Sequence, residues 1–117
     1  MTENKRTVQK YMDAFARLDH AEILSCLTDD VVWEMPGLFH LEGKAAFDGE
    51  IENDAFTGTP VLQLTRMIEE NDVVVAEGTV RAARAAGGFL HAVFCDVFEM
   101  RDGRVRRLTS YLMETTG

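Results

Sequence analysis

One carboxylate, Asp96, lies in the segment FCDVFEM, and its spacing from Phe94 and Phe98 is that of residues sharing one face of a strand. Apolar surroundings disfavour the charged form of a carboxyl group, so the pKa of Asp96 is expected to rise. A neutral Asp96 could donate a hydrogen bond to a ligand oxygen, and an ionised one could act as a general base. The alternative is a structural aspartate, bonded to Thr79, Thr109 or a tyrosine hydroxyl, with no chemical role.

Two further groups are candidates for a base. Glu77, in VVVAEGTV, is an acidic residue among strand formers. It could accept a proton, or lie at the rim of a pocket paired with Arg81. His40 lies in GLFHLEG, a predicted loop after the first strand that could reach the mouth of a pocket. A histidine can act as a base near neutral pH, but a lone loop histidine is more often simply solvated.

Several kinds of site have no support in the sequence. No two histidines and a carboxylate occur at the spacing of metal ligands, so no metal site is predicted. No glycine-rich phosphate loop follows a strand, and there is no Gly-x-Ser-x-Gly motif. We therefore expect no cofactor and no serine hydrolase chemistry.

Composition narrows the class of protein. A chain of 117 residues with 46% hydrophobic residues predicts one domain with a substantial core. A net charge of −8 disfavours nucleic acid and anionic membranes as partners. The N-terminal segment is polar, no apolar run is long enough to span a membrane, and Cys26 and Cys95 are interpreted as free thiols. The default expectation is a cytoplasmic protein.

Hydrophobic periodicity predicts helices first and strands afterwards. An apolar stripe at helical spacing runs from Val8 to Leu18, with Thr2 or Asn4 as the capping residue. The predicted helices span residues 3–18, 20–28 and 42–53. The predicted strands span residues 31–35, 60–70, 73–84, 89–100 and 105–114. This order indicates an α+β domain whose three helices cover one face of a curved, largely antiparallel sheet.

Turn chemistry predicts which side chains share a face with Asp96. A two-residue loop at the Asp-Gly of RDGR places Asp96 opposite Thr109. A two-residue loop within AAGG places Asp96 opposite Glu77 or Thr79, although an odd loop or a bulge would reverse the parity. The predicted inner face combines ionisable, aromatic and hydroxyl side chains: Val75, Glu77, Thr79, Arg81, Phe94, Asp96, Phe98, Met100, Thr109, Tyr111 and Met113.

The opposite face of the sheet is predicted to be small and aliphatic. It carries Val74, Ala76, Val80, Val93, Cys95 and Val97. Because the helices can cover only one face, we expect a second copy of the chain to cover this one. The mixed face suits a ligand pocket, since such sites are mostly apolar with a few convergent polar groups.

Two segments carry a resemblance to a known family. TVQKYMDAFARLDHAEILSCLTDDVVWEMPG and FCDVFEMRDGRVRRLTSYL resemble the SnoaL-like and ketosteroid isomerase-like branch of the nuclear transport factor two-like superfamily. The resemblance covers nearly the whole chain in element order. It implies a cone-shaped fold with an internal pocket, and homodimers packed through the sheet. The superfamily contains isomerases, cyclases, hydrolases, dehydratases and non-catalytic binders, so the resemblance does not choose among them.

Residue by residue, the resemblance implies an oxyanion pair without the usual base. Ketosteroid isomerase uses an aspartate base together with a tyrosine and a protonated aspartic acid that bind the oxyanion. By this resemblance, Tyr11 in VQKY takes the tyrosine position and Asp96 takes that of the protonated acid. The base precedes a proline in the first strand, and that position is Met35 in VWEMP. Methionine cannot accept a proton, and Glu34 is expected to point to the other side of the strand.

Two functional hypotheses result. In the first, the protein is a cofactor-free isomerase, cyclase or dehydratase acting on a small apolar carbonyl compound through Asp96 and Tyr11, with Glu77 or His40 as a possible replacement base. In the second, it is a non-catalytic binding domain for a small hydrophobic ligand, as the methionine at position 35 favours. Core packing alone would predict the same residue types as a ligand pocket. The side chains predicted to contact the ligand are Phe15, Trp33, Met35, Thr79, Phe94, Phe98, Thr109 and Tyr111.

Overall fold

The computed structural model describes residues 1–115, which form three helices and six strands. The helices are α1 (Glu3–Arg17), α2 (His20–Ser25) and α3 (Lys44–Ile51). The strands are β1 (Leu27–Met35), β2 (Phe39–Glu42), β3 (Phe56–Glu70), β4 (Val73–Arg84), β5 (Phe89–Arg101) and β6 (Arg104–Glu114). The predicted α+β class and the meander of four long strands are confirmed.

Helix α1 has the start and the buried stripe that the sequence predicts. The Thr2 side chain caps it by accepting a hydrogen bond from the Lys5 backbone N–H at 3.1 Å. The helix ends at Arg17, and the capping residue Leu18 has a left-handed backbone whose N–H returns to the last turn of the helix. Val8 and Tyr11 lie on the buried side of the helix. This stripe forms one wall of the core.

The segment between α2 and α3 differs from the prediction. Helix α2 ends at Ser25 rather than at residue 28, and β1 already begins at Leu27. The two aspartates of TDD are exposed within this strand, so they do not interrupt it. The predicted loop GLFHLEG contains the short strand β2, which pairs antiparallel with the end of β1. Its alternation of half-buried and exposed residues covers only four positions, too few to stand out in the sequence.

The six strands form one curved, unclosed sheet in the order β2-β1-β6-β5-β4-β3. All neighbouring pairs are antiparallel except β1 and β6, which are parallel. The helices pack on one face of the sheet, here called the inner face. Tyr11 of α1 packs edge-on against Phe98 of β5, with ring centroids 5.4 Å apart. The core therefore lies between the helices and the inner face.

The predicted register between β5 and β6 is correct at the turn and wrong beyond it. Arg101 pairs with Arg104, and Met100 pairs with Val105, as a two-residue loop requires. The next pair is Glu99 with Arg107. One residue of β6 therefore has no partner in the ladder and forms a β-bulge. The bulge reverses the parity of the rest of β6. Asp96 therefore lies opposite Ser110 and not opposite Thr109.

The register between β4 and β5 is also shifted by one residue. Ala83 and Phe89 form the last pair of this ladder, so five residues lie between the paired positions instead of the predicted two. An odd number of loop residues reverses the parity of β4 relative to the prediction. Asp96 consequently lies opposite Ala76. The predicted inner residues of β4 (Val75, Glu77, Thr79 and Arg81) belong to the other face, and three predicted outer residues (Val74, Ala76 and Val80) belong to the inner face.

The face of the sheet away from the helices, here called the outer face, is more mixed than the sequence suggested. It combines charged and polar side chains of β4 with exposed apolar ones from β3, β5 and β6. Large apolar side chains exposed on it are Val61, Ile68, Val93, Tyr111 and Met113. In the part of the chain that the structure describes, no helix is long and apolar enough to cross a membrane.

Candidate ligand-binding pocket

A cavity of about 130 Å³ lies between α1 and the inner face of the sheet. Its walls are mostly aromatic and aliphatic, with a carboxyl group and three hydroxyl groups among them. The lining residues are Tyr11, Met12, Phe15, Trp33, Met35, Leu62, Val80, Phe94, Asp96, Ser110, Tyr111 and Leu112. An apolar space with few polar groups is the usual composition of a small-molecule site.

Asp96 is the carboxyl group of this cavity. Burial among apolar walls raises the pKa of Asp96 to about 7, and the Ser110 hydroxyl opposes this shift as a hydrogen-bond partner. Asp96 keeps some accessible surface because it borders the cavity, yet the surrounding protein removes most of the bulk water from its carboxyl. Near neutral pH the carboxyl can therefore be either a hydrogen-bond donor or a proton acceptor.

Tyr11 enters the same cavity from α1. Its side chain is 3% exposed, and its ring contacts those of Phe15, Phe47 and Phe98. Burial raises the pKa of the Tyr11 hydroxyl, and the nearby charge of Asp96 raises it further. The hydroxyl is thus protonated at neutral pH and available as a donor. Asp96 and Tyr11 are the pair of polar groups that the family resemblance implied.

A third polar group, Ser110, adjoins Asp96. The Trp33 indole N–H donates a hydrogen bond to Ser110 Oγ at 3.1 Å, and both side chains are buried. Trp33 is itself enclosed by aromatic rings, since it stacks on Phe47 with a centroid distance of 4.3 Å. The cavity therefore contains a connected polar group in an otherwise apolar wall.

Met35 occupies the position where the resemblance places a base. It lines the cavity and supplies a thioether that cannot take a proton at neutral pH. Glu34 belongs to the other side of β1, where its carboxylate accepts a hydrogen bond from Arg107 at 2.5 Å. The predicted orientation of Glu34 is confirmed.

Glu77 and Thr79 were expected to face Asp96, and this placement is wrong. The odd number of residues between the last paired positions of β4 and β5 turns both residues to the outer face. There Glu77 forms a salt bridge with Arg66, and Arg81 stacks over the Phe89 ring at 3.9 Å. Glu77 and Thr79 do not line the inner cavity; they line a groove on the outer side of the sheet.

Four other predicted residues also differ from their expected placement. Thr109 lies on the outer face because of the β6 bulge. Tyr111 shares that parity and is 51% exposed, but it still borders the cavity. Phe98 is fully buried behind Tyr11 and does not line the cavity. His40, on strand β2, pairs with Glu34 of β1. It therefore lies on the same side of the sheet as Glu34 and not over the cavity.

The chain matches the model of a known domain family over most of its length. The model of the SnoaL-like domain matches residues 8–108, which is most of the sequence. The chain belongs to the SnoaL-like domain family. No curated protein matches this SnoaL-like domain in sequence.

Solved structures agree with this assignment. An NTF2-like protein of unknown function from Burkholderia pseudomallei has a TM-score of 0.88 at 25% identity, covering 97% of this chain and 92% of that one. An LEH-like epoxide hydrolase from M. tuberculosis has a TM-score of 0.83 at 22% identity, covering 95% and 83%. A putative polyketide cyclase from Xanthomonas campestris pv. campestris has a TM-score of 0.77 at 27% identity, covering 93% and 89%. The SnoaL-like domain therefore has the NTF2-like fold.

Five lining residues of this SnoaL-like domain were not predicted as site residues: Met12, Leu62, Val80, Ser110 and Leu112. Met12 lies on the apolar stripe of α1, so its spacing carried a usable signal. Ser110 and Leu112 were hidden by the β6 bulge, and Val80 by the odd loop. Neither irregularity has a distinctive residue type in this sequence.

A groove of about 640 Å³ adjoins the cavity on the outer side of the sheet. It shares Met35, Phe94, Ser110, Tyr111 and Leu112 with the cavity. The groove also contains exposed apolar side chains, including Leu38 and Met113. Within residues 1–115, no cluster of three or more histidine, cysteine or acidic side chains is arranged to hold a metal ion.

Proposed function

We propose that this SnoaL-like domain is a cofactor-independent enzyme that acts on a small, mostly apolar carbonyl compound. The proposed reaction is an isomerisation, an aldol-type cyclisation or a dehydration. The observation that supports it is Asp96, a carboxyl with a pKa of about 7 that shares an apolar cavity with the Tyr11 hydroxyl. A general acid or base works best when its pKa lies near the working pH.

The cavity assigns distinct tasks to its two central groups. Tyr11 is protonated and donates a hydrogen bond to the substrate oxygen. Among the lining residues, Asp96 is the group that changes charge near neutral pH, so it takes a proton from the carbon next to the carbonyl or donates one to the oxygen. Negative charge that develops on the oxygen then strengthens the hydrogen bond from Tyr11. Met35 supplies apolar contact and no second base.

The cavity also limits the class of substrate. Its walls are aromatic and aliphatic, and among residues 1–115 no cationic side chain lines it. A neutral ketone or enone therefore fits better than an anionic substrate, and the net charge of −8 acts in the same direction. A cavity of about 130 Å³ suits the carbonyl end of a molecule, whose remainder would extend beyond it. Similarity to a putative polyketide cyclase supports ketone substrates as the first to test.

The test is turnover of a panel of small cyclic enones and polyketide-like ketones. We expect the wild type to convert at least one compound, and Asp96→Asn to lower kcat by about 100-fold or more. Asp13→Asn, an exposed change on α1 of the same chemical kind, is the matched control and should keep full activity. A wild type that converts none of the panel, or equal rates in the wild type and Asp96→Asn, would contradict the proposal.

One observation favours a second candidate function, a non-catalytic binding domain. Met35 removes the base that the resemblance would lead one to expect. In that case Asp96 and Tyr11 would hold a ligand oxygen without transferring a proton. Calorimetry separates the two candidates. Binding of a ketone without turnover, weakened in Asp96→Asn, supports the binding domain.

We also propose that the protein forms a homodimer through the outer face of the sheet. Exposed apolar side chains on this face support the proposal, among them Val61, Ile68, Val93 and Met113. Large apolar side chains exposed on one face of a sheet are often covered by a partner. A second copy of the same chain is the simplest partner, since a two-fold axis lets one patch pack on itself.

A further inference from the structure

The hydrogen bond between Trp33 and Ser110 has only one possible direction. An indole N–H is a donor and cannot accept, so Ser110 Oγ is the acceptor of the 3.1 Å contact. The Ser110 hydroxyl proton is therefore free to point elsewhere. Asp96 lies directly opposite Ser110 in the β5–β6 ladder and lines the same cavity, so its carboxylate is placed to accept that proton. The three side chains form a chain of donors that runs from the indole to the carboxyl.

The start of this chain is held in place by aromatic packing. Trp33 stacks on Phe47 at 4.3 Å with an interplanar angle of 25°. Phe39 and Phe15 meet the indole edge-on, at 5.1 and 6.3 Å. Trp33 is 6% exposed and Ser110 is 7% exposed, so water does not compete strongly for either group. A buried donor of fixed orientation polarises the group that it bonds and strengthens its next hydrogen bond.

We propose that Trp33 and Ser110 are positioning residues that fix the orientation of the Asp96 carboxyl and keep its proton on the oxygen presented to the ligand. The carboxyl oxygen that accepts from Ser110 is the less favourable place for the proton, because a hydroxyl hydrogen already points at it. When Asp96 is neutral, its proton is left on the other oxygen. The purpose of this positioning rests on the proposed function, but the hydrogen-bond chain itself can be tested without a substrate.

Few titratable groups face Asp96. Tyr11 approaches from α1, Tyr111 borders the same cavity from β6, and Cys95 precedes Asp96 on β5 but belongs to the outer face. Burial raises the pKa of Tyr11 and of Cys95, so both are neutral at pH 7. A change of state near neutral pH at this position is therefore attributable to Asp96.

The chain contains a single tryptophan, so its indole N–H gives one nitrogen-15 NMR signal in the ligand-free protein. We expect this signal to shift with pH with a midpoint near 7, because the ionised Asp96 accepts a stronger hydrogen bond from the Ser110 hydroxyl. The shift should vanish in Asp96→Asn and in Ser110→Ala. It should persist in Thr109→Ala, which removes a neighbouring hydroxyl on the outer face, and in Ser110→Thr, which keeps the hydroxyl.

Two outcomes would overturn the inference. One is an indole signal in the wild type that does not respond to pH near neutrality. The other is a full response in Ser110→Ala, which would mean that Trp33 senses Asp96 without the serine. If the indole signal responds to pH as expected but no ketone is converted, the proposed catalysis fails while the positioning inference stands.

Discussion

Asp96 lies opposite Ser110, while Thr109 lies on the other face of the sheet. The cause is the bulge in β6. Arg106, between Val105 and Arg107, has no paired residue in the β5–β6 ladder. The bulge brings a small, donor-capable side chain to the carboxyl and turns the bulkier Thr109 outward. One extra backbone residue thus decides which hydroxyl group serves the cavity.

Asp96 should make the stability of the protein depend on pH. Its native pKa of about 7 is higher than that of an unfolded aspartate, about 3.9. Between these values the native state holds a proton that the unfolded state has released. The free energy of unfolding should therefore fall as the pH rises from about 4 to about 7, by about 4 kcal/mol at most.

Urea unfolding of the wild type and Asp96→Asn at several pH values measures this effect. The amide cannot ionise, so the variant should gain stability relative to the wild type as the pH rises, and the difference should level off above pH 8. Asp13→Asn serves as the exposed control. A difference between wild type and Asp96→Asn that does not change between pH 5 and pH 8 would contradict the prediction.

Gly78 should not tolerate a side chain. A Cβ atom at this position would lie 2.2 Å from the backbone oxygen of Gln63 and 2.7 Å from Cζ of Phe94. Phe94 is the cross-strand partner of Gly78, and its ring occupies the space that a side chain would need. We expect Gly78→Ala to lower the free energy of unfolding by about 1–3 kcal/mol.

Gly49 is the matched control for this substitution. A Cβ atom there would meet no other atom within 4 Å, and the residue lies inside α3. Gly49→Ala should therefore stabilise the protein by up to about 1 kcal/mol, since alanine favours the helix. Urea unfolding compares the two variants. Equal effects of the two substitutions would contradict the close packing of Phe94 on Gly78.

His20 joins α2 to α3 through two carboxylates. Its Nδ1 lies 2.6 Å from the Asp48 carboxylate, and its Nε2 lies 2.5 Å from that of Glu52. The hydrogen bond to Asp48, and then that to Glu52, raise the pKa of His20. The stabilisation is therefore fully present below about pH 6.5, the unfolded value, and is lost as the pH rises through the native pKa.

Thermal unfolding of the wild type and His20→Ala tests this contact. The wild type should exceed the variant in stability at pH 5.5 and lose that advantage by pH 9. The side chain is about a third exposed, so the effect should stay below about 1 kcal/mol and weaken in high salt. His91→Ala, on β5, is the control. A larger advantage at pH 9 than at pH 5.5 would have the wrong sign.

The outer face should mediate self-association. Val93 is 43% exposed on this face, and a glutamate there would oppose burial against a second copy. Light scattering should give the wild type twice the 13.1 kDa mass of one chain, and Val93→Glu the mass of a monomer. Ala21→Glu, an exposed change on α2, should remain dimeric. A monomeric wild type at micromolar concentration would refute the proposal.

The fold followed from the sequence because its signals were regular. The apolar stripe of α1 and the long alternating strands fixed the element order, and the pairing of Asp96 with Tyr11 came from the resemblance. Strand β2 was missed because four residues are too few to show a period. The start of β1 was missed because two exposed aspartates look like a turn in sequence.

The site was harder to predict because parity is sensitive to a single residue. The two-residue turn at Asp102 was correct, but the bulge beyond it reversed Thr109 and Ser110. The five residues between the paired Ala83 and Phe89 reversed Glu77 in the same way. A one-residue slip exchanges the two faces of a strand completely. Residue types predicted the apolar walls and the buried carboxyl of the cavity. Only the observed strand pairing showed which side chains lie beside that carboxyl.

The carboxyl group of Asp96 provides the most direct test of this account. Carbon-13 NMR of the ligand-free protein, with the Asp96 signal assigned by its loss in Asp96→Asn, follows the ionisation of this side chain alone. The account predicts a titration midpoint near pH 7. A midpoint near pH 4, the value of an ordinary exposed aspartate, would show that the cavity does not hold a neutral acid and would contradict the proposed role of Asp96.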